Sequence, residues 1–392
     1  MDGASGGEVD RAAVSDARPL PDVDARPRPD VVDDPPERGE AMLRLGVTRR
    51  RALLFAAFVL AALAFLYLVL PQLGGFQHTW NRLKGGDAWW IAVAVVLQVL
   101  SMISYIAIFQ GVAVPRDSPI TWRESYEITM AGLAATRLFA AGGAGGVVLT
   151  AWALRRSGMA RRDVAERMIA LLVLLYGVYM IAMVVCGVGL YLGVFGGSHP
   201  FAITIVPAIF GAVVILVFLA IAFVPADYRP DLGTLTPGHR RVQLWVERVA
   251  TSPAYLSGGI HLAWRKLRRP DLAMIGTVSW WGFNIAVLYA AFRAFGKAPP
   301  VAVLIQAYFV GLLANLLPLP GGIGGVDGGM IGALVAFGVS GSLALIAVLV
   351  YRLFAFWLPT IPGAIAYFQL RRAVHRWDEQ PRAPTAAAAS AA

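Results

Sequence analysis

The sequence predicts an all-α polytopic membrane protein with about six full spans, two glycine-broken re-entrant hairpins and an inverted repeat. Three observations lead there. The 392 residues are 58% hydrophobic and 15% charged, with a mean hydropathy of +0.64, too few charges to wet a soluble domain of that size. Charge-free runs at 52–70, 168–196, 200–226, 272–292, 298–326 and 353–370 have about the length that crossing a ~30 Å hydrocarbon core demands. The pattern GGxGG occurs twice inside apolar sequence, as GGAGG at 142–146 and GGIGG at 321–325.

Taken in order, residues 1–43 carry 11 acidic side chains and 5 Arg among many prolines. They have little to bury and read as a disordered acidic tail. A transmembrane domain is expected over 44–377, with a first half at 44–196 and a second at 200–377. Residues 378–392, ending APTAAAASAA, read as a second disordered tail. The first apolar segment follows Arg49–Arg51, is too long for a signal h-region and has no clear cleavage site, so an anchor is expected. Full spans are expected at 51–71, 88–112, 166–195, 201–225, 272–294 and 343–370.

Basic residues orient these spans. Arg44 and Arg49–Arg51 precede the first, Arg155, Arg156, Arg161 and Arg162 precede the third, and Arg371, Arg372 and Arg376 follow the last. The loop 227–271 is rich in Arg, whereas 193–200 and 338–342 have no Arg or Lys. The positive-inside rule then puts both termini and the loop on the cytoplasmic side. Beyond residue 43 the net charge is +16, which fits loops beside anionic lipid and not nucleic acid. Lys occurs only at 84, 266 and 297. That bias toward Arg, with abundant Ala, fits a GC-rich bacterial genome, and a bacterial plasma membrane is the expected location. Within the loop, RRVQLWVERV and GGIHLAWRKLRR suit amphipathic helices on the inner leaflet.

Two segments remain, 124–157 and 300–339. Each has two apolar arms about a glycine-rich break, and each arm is short for a span. They read as re-entrant hairpins, the first from the cytoplasm and the second from outside; four short crossing helices would give the same parity. Each hairpin follows two spans and is followed by a turn containing Gly158 or Gly338 and then a long span. The halves begin on opposite sides, the inverted-repeat arrangement of many transporters.

The second break, NLLPLPGGIGGVDGGM at 315–330, is where chemistry is expected. Irregular backbone survives at membrane depth only when buried in protein or lining a wet cavity. Pro318 and Pro320 end the first arm, and Gly321, Gly322, Gly324 and Gly325 allow positive φ and close approach. Asp327 begins the second arm, a favourable place for an acid at a helix dipole; the free N–H groups there also suit a phosphate. The stretch lacks the Gly-Lys-Ser/Thr ending of a nucleotide loop and is not a tandem calcium repeat. Gly142 and Gly143 are its counterparts in the first hairpin.

LLPLPGGIGGVDGG resembles the signature of the lysylphosphatidylglycerol synthase transmembrane family, a flippase-like membrane domain. That signature reads approximately Pro-Gly-Gly-small/apolar-Gly-x-x-acid, followed later by an Arg in the final span. Pro320, Gly321, Gly322, Gly324 and Asp327 match it, and Arg352 in VLVYRLFAFWLP takes the Arg position. The acid is usually Glu, so Asp327 is one methylene shorter. The resemblance covers roughly 45–375 and implies movement of lipid-linked or aminoacylated headgroups across the bilayer. No segment is long enough for the soluble synthase domain of some relatives, so synthase activity is not expected.

Asp327 and Arg352 are candidates for a phosphate site or for a structural ion pair. Arg137, about five residues before the first break, is either a phosphate contact or a snorkelling side chain, and Glu127 snorkels likewise. Glu166 and Arg167 read as interfacial, and the amides of Asn315 and Gln306 suit freed backbone groups or a headgroup. Trp280, Trp281 and Asn284 either pack the helices or line a cavity. The single Cys186 and the scattered His78, His199, His239, His261 and His375 support no metal site. No cofactor and no catalytic residue are expected, because Asp327 stands without a paired acid. Three functions remain: lipid transport, a membrane enzyme acting on a lipid-linked substrate, and a scaffold for a lipid-modifying enzyme.

Overall fold

The computed structural model describes residues 85–115, 118, 120–138, 144–223, 255–268, 272–316, 322 and 324–379. The acidic tail 1–43, the expected first span at 51–71, the loop apart from 255–268, and residues 380–392 lie outside the described residues. Among the described residues every regular element is helical.

The helices are α1 Ala88–Ala113, α2 Trp122–Leu138, α3 Ala144–Arg156, α4 Arg161–Tyr191 and α5 Phe201–Ala222. There follow α6 at 255–267, α7 Leu272–Phe295, α8 Val301–Leu312 with a 3-10 turn over Leu313–Leu316, and α9 Gly325–Ala336. The chain closes with α10 Gly341–Arg352, a π-helical segment Leu353–Trp357, and α11 Leu358–Glu379. The last helix therefore runs two residues into the segment read as a tail. Helices α1, α4, α5, α7 and the composite α10–α11 are long and apolar enough to cross a membrane, so the chain is a multi-pass membrane protein. They match five of the six expected spans.

Local chemistry explains several boundaries. Asp87 caps α1, its Oδ1 accepting from the N–H of Trp89 at 2.9 Å. Glu124 accepts from the N–H of Thr121 at 2.8 Å while the Thr121 hydroxyl accepts from the N–H of Glu124 at 3.3 Å, a capping box that starts α2. Arg167 donates to the carbonyl of Val112 at 3.0 Å, one of the four carbonyls that the end of α1 leaves without a helical partner.

The two hairpins are α2–α3 and α8–α9. Their arms reach roughly 18–26 Å at helical rise, short of a ~30 Å core, which favours re-entrant hairpins over four crossing helices. In each, glycines let the arms meet. A Cβ at Gly146 would lie 2.5 Å from the carbonyl oxygen of Gly132, and one at Gly311 would lie 2.8 Å from the backbone nitrogen of Met330. Each hairpin ends in the same turn. Gly158 has φ +93° with Met159 N–H bonded to Leu154 O at 3.3 Å, and Gly338 has φ +89° with Val339 N–H bonded to Leu334 O at 3.0 Å. Both are Schellman closures, in which a left-handed glycine satisfies the last carbonyls of the helix.

Helices α1 and α7 pack along much of their length. Gly276 makes this possible, since a Cβ there would sit 2.9 Å from Ile108, and Asn284 donates to the Ser101 hydroxyl across the contact at 2.7 Å. Around this pair, α2 packs on α11 and α8 packs on α4. Exchanging α1 with α7, α2 with α8, α3 with α9 and α4 with the composite α10–α11 leaves that scheme unchanged. Trp281 lies in the core, donating to Leu175 O at 2.9 Å with its ring 5.2 Å from that of Phe309, and Trp280 packs at a tilt against Tyr105, 5.2 Å between centroids. Both are packing residues.

Candidate functional site

The second hairpin breaks where its sequence forbids helix. After the 3-10 turn, Gly322 has φ +66° and is buried, and a Cβ there would fall 2.5 Å from Oδ1 of Asn315. Asn315 itself is exposed at the mouth of the break. Gly324, with φ +81°, forms the N-cap of α9, and Gly325 is its first helical residue. Pro318, Pro320 and Gly321 lie outside the described residues, as do Gly142 and Gly143 of the first break.

Asp327 occupies the third position of α9. Its Oδ2 accepts from the N–H of Gly324 at 3.0 Å, one half of a capping box and an acid placed at the positive end of a helix dipole. Its Oδ1 lies 2.5 Å from Nε of Arg352. The shorter carboxylate therefore reaches both its own helix end and the last span. The pair is only 13–14% exposed, and in a membrane such a charge needs a partner of this kind.

Arg352 is the last residue of α10 and its guanidinium carbon stands 5.0 Å from the ring centroid of Phe356. Arg137, reaching from the first hairpin, stands 5.3 Å from the centroid of the same ring. Its Nη1 donates to Phe356 O at 2.7 Å and its Nη2 to Ala355 O at 2.8 Å. Those carbonyls are available for two reasons. The π-helical turn shifts the register of the helix bonds, and Pro359 has no N–H to offer Ala355 four residues back. The Thr360 hydroxyl adds a bond to Phe356 O at 2.6 Å. Arg137 thus points inward at the last span and does not snorkel. Tyr308 and Tyr351, both buried, close the region with their hydroxyls 3.0 Å apart.

The structure thus brings Arg352 and Arg137 to one aromatic ring, with Asp327 paired to Arg352. Two guanidiniums and one carboxylate sum to +1, a local excess suited to a single anionic group.

Other candidates resolve into structural roles. Gln306, fully buried, donates to Ile203 O at 3.0 Å. Pro207, inside α5, cannot serve that carbonyl, so the amide repairs a proline break in the neighbouring helix. Glu127 does not snorkel: it is 1% exposed, and Arg123 comes to it with Nε 3.2 Å from Oε1. Glu166 pairs with Arg162 at 2.8 Å. Phe356, Pro359, Thr360 and the Tyr308–Tyr351 pair escaped the reading of the sequence. The two prolines of FWLPTIP were the visible signal, since each frees a carbonyl that some donor must meet.

Among known proteins, the family described as the lysylphosphatidylglycerol synthase TM region matches residues 52–363. Similar proteins include UPF0104 membrane proteins of Methanothermobacter thermautotrophicus strain Delta H. One alignment is 28% identical over 193 residues, covering 44% of this chain and 57% of the relative. Another is 38% identical over 91 residues, covering 22% and 27%, and a third is 37% identical over 87 residues, covering 22% and 25%. The matched segments thus span from a quarter to somewhat more than half the length of those relatives.

Proposed function

Since the chain belongs to the lysylphosphatidylglycerol synthase transmembrane family, we propose that it binds a polar, anionic lipid headgroup at the break of its second hairpin and assists its movement between leaflets. The observation that carries this reading is the convergence of Arg137 and Arg352 on Phe356, with Asp327 paired to Arg352. A phosphate monoanion balances the local +1, and its arrival gives Arg352 a second anion to exchange for Asp327. Acyl tails remain in the bilayer while the headgroup passes, so the chain carries a lipid without modifying it.

The inverted repeat belongs to the same reading. It is supported by the paired Schellman turns, the paired glycine contacts and the packing scheme that survives exchange of the halves. Two hairpins entering from opposite faces would make the site reachable from each leaflet in turn. On this reading both termini face the cytoplasm of a bacterial plasma membrane, and the partners are anionic phospholipid or a lipid-linked headgroup.

A second reading has its own support. Asp327 and Arg352 are ion-paired and Arg137 is met by carbonyls, as expected of a scaffold that holds a lipid-modifying enzyme. The test is leaflet-to-leaflet movement of a labelled anionic or aminoacylated phospholipid in proteoliposomes, for wild type, Asp327→Asn, Arg352→Ala and Arg137→Gln. Movement by the wild type and its loss in correctly inserted variants supports transport. Unchanged movement in all three variants removes the break from the route, and no movement of any headgroup by inserted wild type sinks autonomous transport in favour of the scaffold.

A further inference from the structure

The helix α6, at 255–267, is absent from the site just described and has two unlike faces. Its inner face is seated on the start of α4. A Cβ at Gly258 would lie 2.9 Å from the carboxyl of Glu166, and one at Gly259 would lie 2.5 Å from Ile169. Ser257, Ile260 and Ala263 are buried on that side. Both glycines are therefore needed for the close approach, which fixes the rotation of α6 about its axis.

That rotation turns His261, Trp264, Arg265 and Arg268 outward, one arc of the helix by its 3.6-residue period. Trp264 is 47% exposed, and the Arg268 guanidinium carbon stands 5.1 Å from the centroid of its ring. Residues 255–268 contain Arg265, Lys266 and Arg268 and no acidic residue. The helix is too short to cross a bilayer, about 20 Å at helical rise, and it abuts the end of α4 that carries Arg161 and Arg162. An outward Trp held under an Arg, with further cations beside it, is what the headgroup layer of an anionic membrane favours: the indole sits at the apolar boundary and the cations among phosphates.

We propose that this face of α6 docks on the anionic phospholipid of the leaflet next to it, with Trp264 inserted at the headgroup level and Arg265 and Arg268 meeting phosphate. The occupant is lipid and not an acidic protein, because the cations alternate with an aromatic anchor on the same arc and the helix is seated directly on a spanning segment. Its consequence is local enrichment of anionic lipid at the cytoplasmic end of α4, whether or not the hairpin break carries headgroups.

The full-length protein in nanodiscs of phosphatidylcholine tests this through bromolipid quenching of tryptophan fluorescence. The Trp264 contribution is the difference between wild type and Trp264→Phe. At equal low mole fraction, brominated phosphatidylglycerol is expected to quench that component several-fold more than brominated phosphatidylcholine. Arg265→Gln with Arg268→Gln should abolish the preference while leaving quenching by the zwitterionic lipid, since each surface cation contributes about a fivefold enrichment. Equal quenching by both lipids in wild type overturns the proposal, reducing the face to an apolar anchor. No quenching by either also overturns it, because the face is then covered by protein.

Discussion

The two hairpins share a scaffold and differ in chemistry. In each, glycines bring the arms into backbone contact, Gly132 with Gly146 and Gly311 with Met330, and a left-handed glycine closes the turn that follows. Their charges are spent differently. The second hairpin keeps Asp327 in its own break, binding its own helix end and Arg352. The first sends Arg137 across to the last span, where it meets two main-chain carbonyls. The first arm α2 also buries Ser125, Glu127 and Thr129, whereas the buried residues of α8 are apolar or aromatic apart from Gln306 and Gly311. The candidate site therefore sits where the two hairpins differ, at the last span with its π-helical turn, which Arg137 and Asp327 reach from either hairpin.

The sharpest way to break this comparison is to remove each charge in turn. Asp327→Asn or Arg352→Ala leaves a partner charge without its counter-ion in a region only 13–14% exposed, and should cost about 3–5 kcal/mol. Arg137→Met strands the Ala355 carbonyl and no ion, since Phe356 O keeps the Thr360 hydroxyl, and should cost about 1–3 kcal/mol. Unfolding of purified protein in lipid–detergent mixtures, followed by circular dichroism, compares the three. If Arg137→Met is the most damaging, the second hairpin is not the charge-anchored one and the contrast is reversed.

The glycine contacts test the shared scaffold. Gly146→Ala and Gly311→Ala each place a methyl against backbone, 2.5 Å and 2.8 Å from the nearest main-chain atoms, with little freedom to yield. Each should lose about 1–3 kcal/mol by the same assay. A large loss at one position and none at the other would mean that the hairpins resemble each other in trace but not in packing.

Much of this was legible in the sequence, for a physical reason. Charge-free length and the positions of Arg fix spans, and Gly-Gly pairs with prolines mark breaks, so helices α1, α4, α5, α7 and both hairpins fell near their expected places. Asp327 and Arg352 were visible because an ion in apolar sequence asks for a partner. The partner of Arg137 was not, since Phe356 lies 219 residues away and a main-chain carbonyl has no sequence signature. The prolines carried that information indirectly. Pro207 and Pro359 each leave a carbonyl four residues back, and the structure meets them with Gln306 and Arg137. A π-helical turn is likewise silent in composition, because it is a change of register and not of residue type.

The smallest effect is expected at the turns, and it is the cleanest test of likeness between the halves. Gly158 and Gly338 have φ +93° and +89°, and a Cβ at either would meet no neighbouring atom within 4 Å. Alanine there changes backbone preference alone, since no packing atom is displaced. Each of Gly158→Ala and Gly338→Ala should therefore cost about 1–2 kcal/mol, the penalty of a left-handed conformation for an L-residue. Nearly equal shifts in unfolding midpoint are expected, because the two Schellman closures have the same bonds. If Gly338→Ala alone is costly, the turn before the last span carries a strain that the first turn does not share, and the equivalence of the halves would stop at the hairpins themselves.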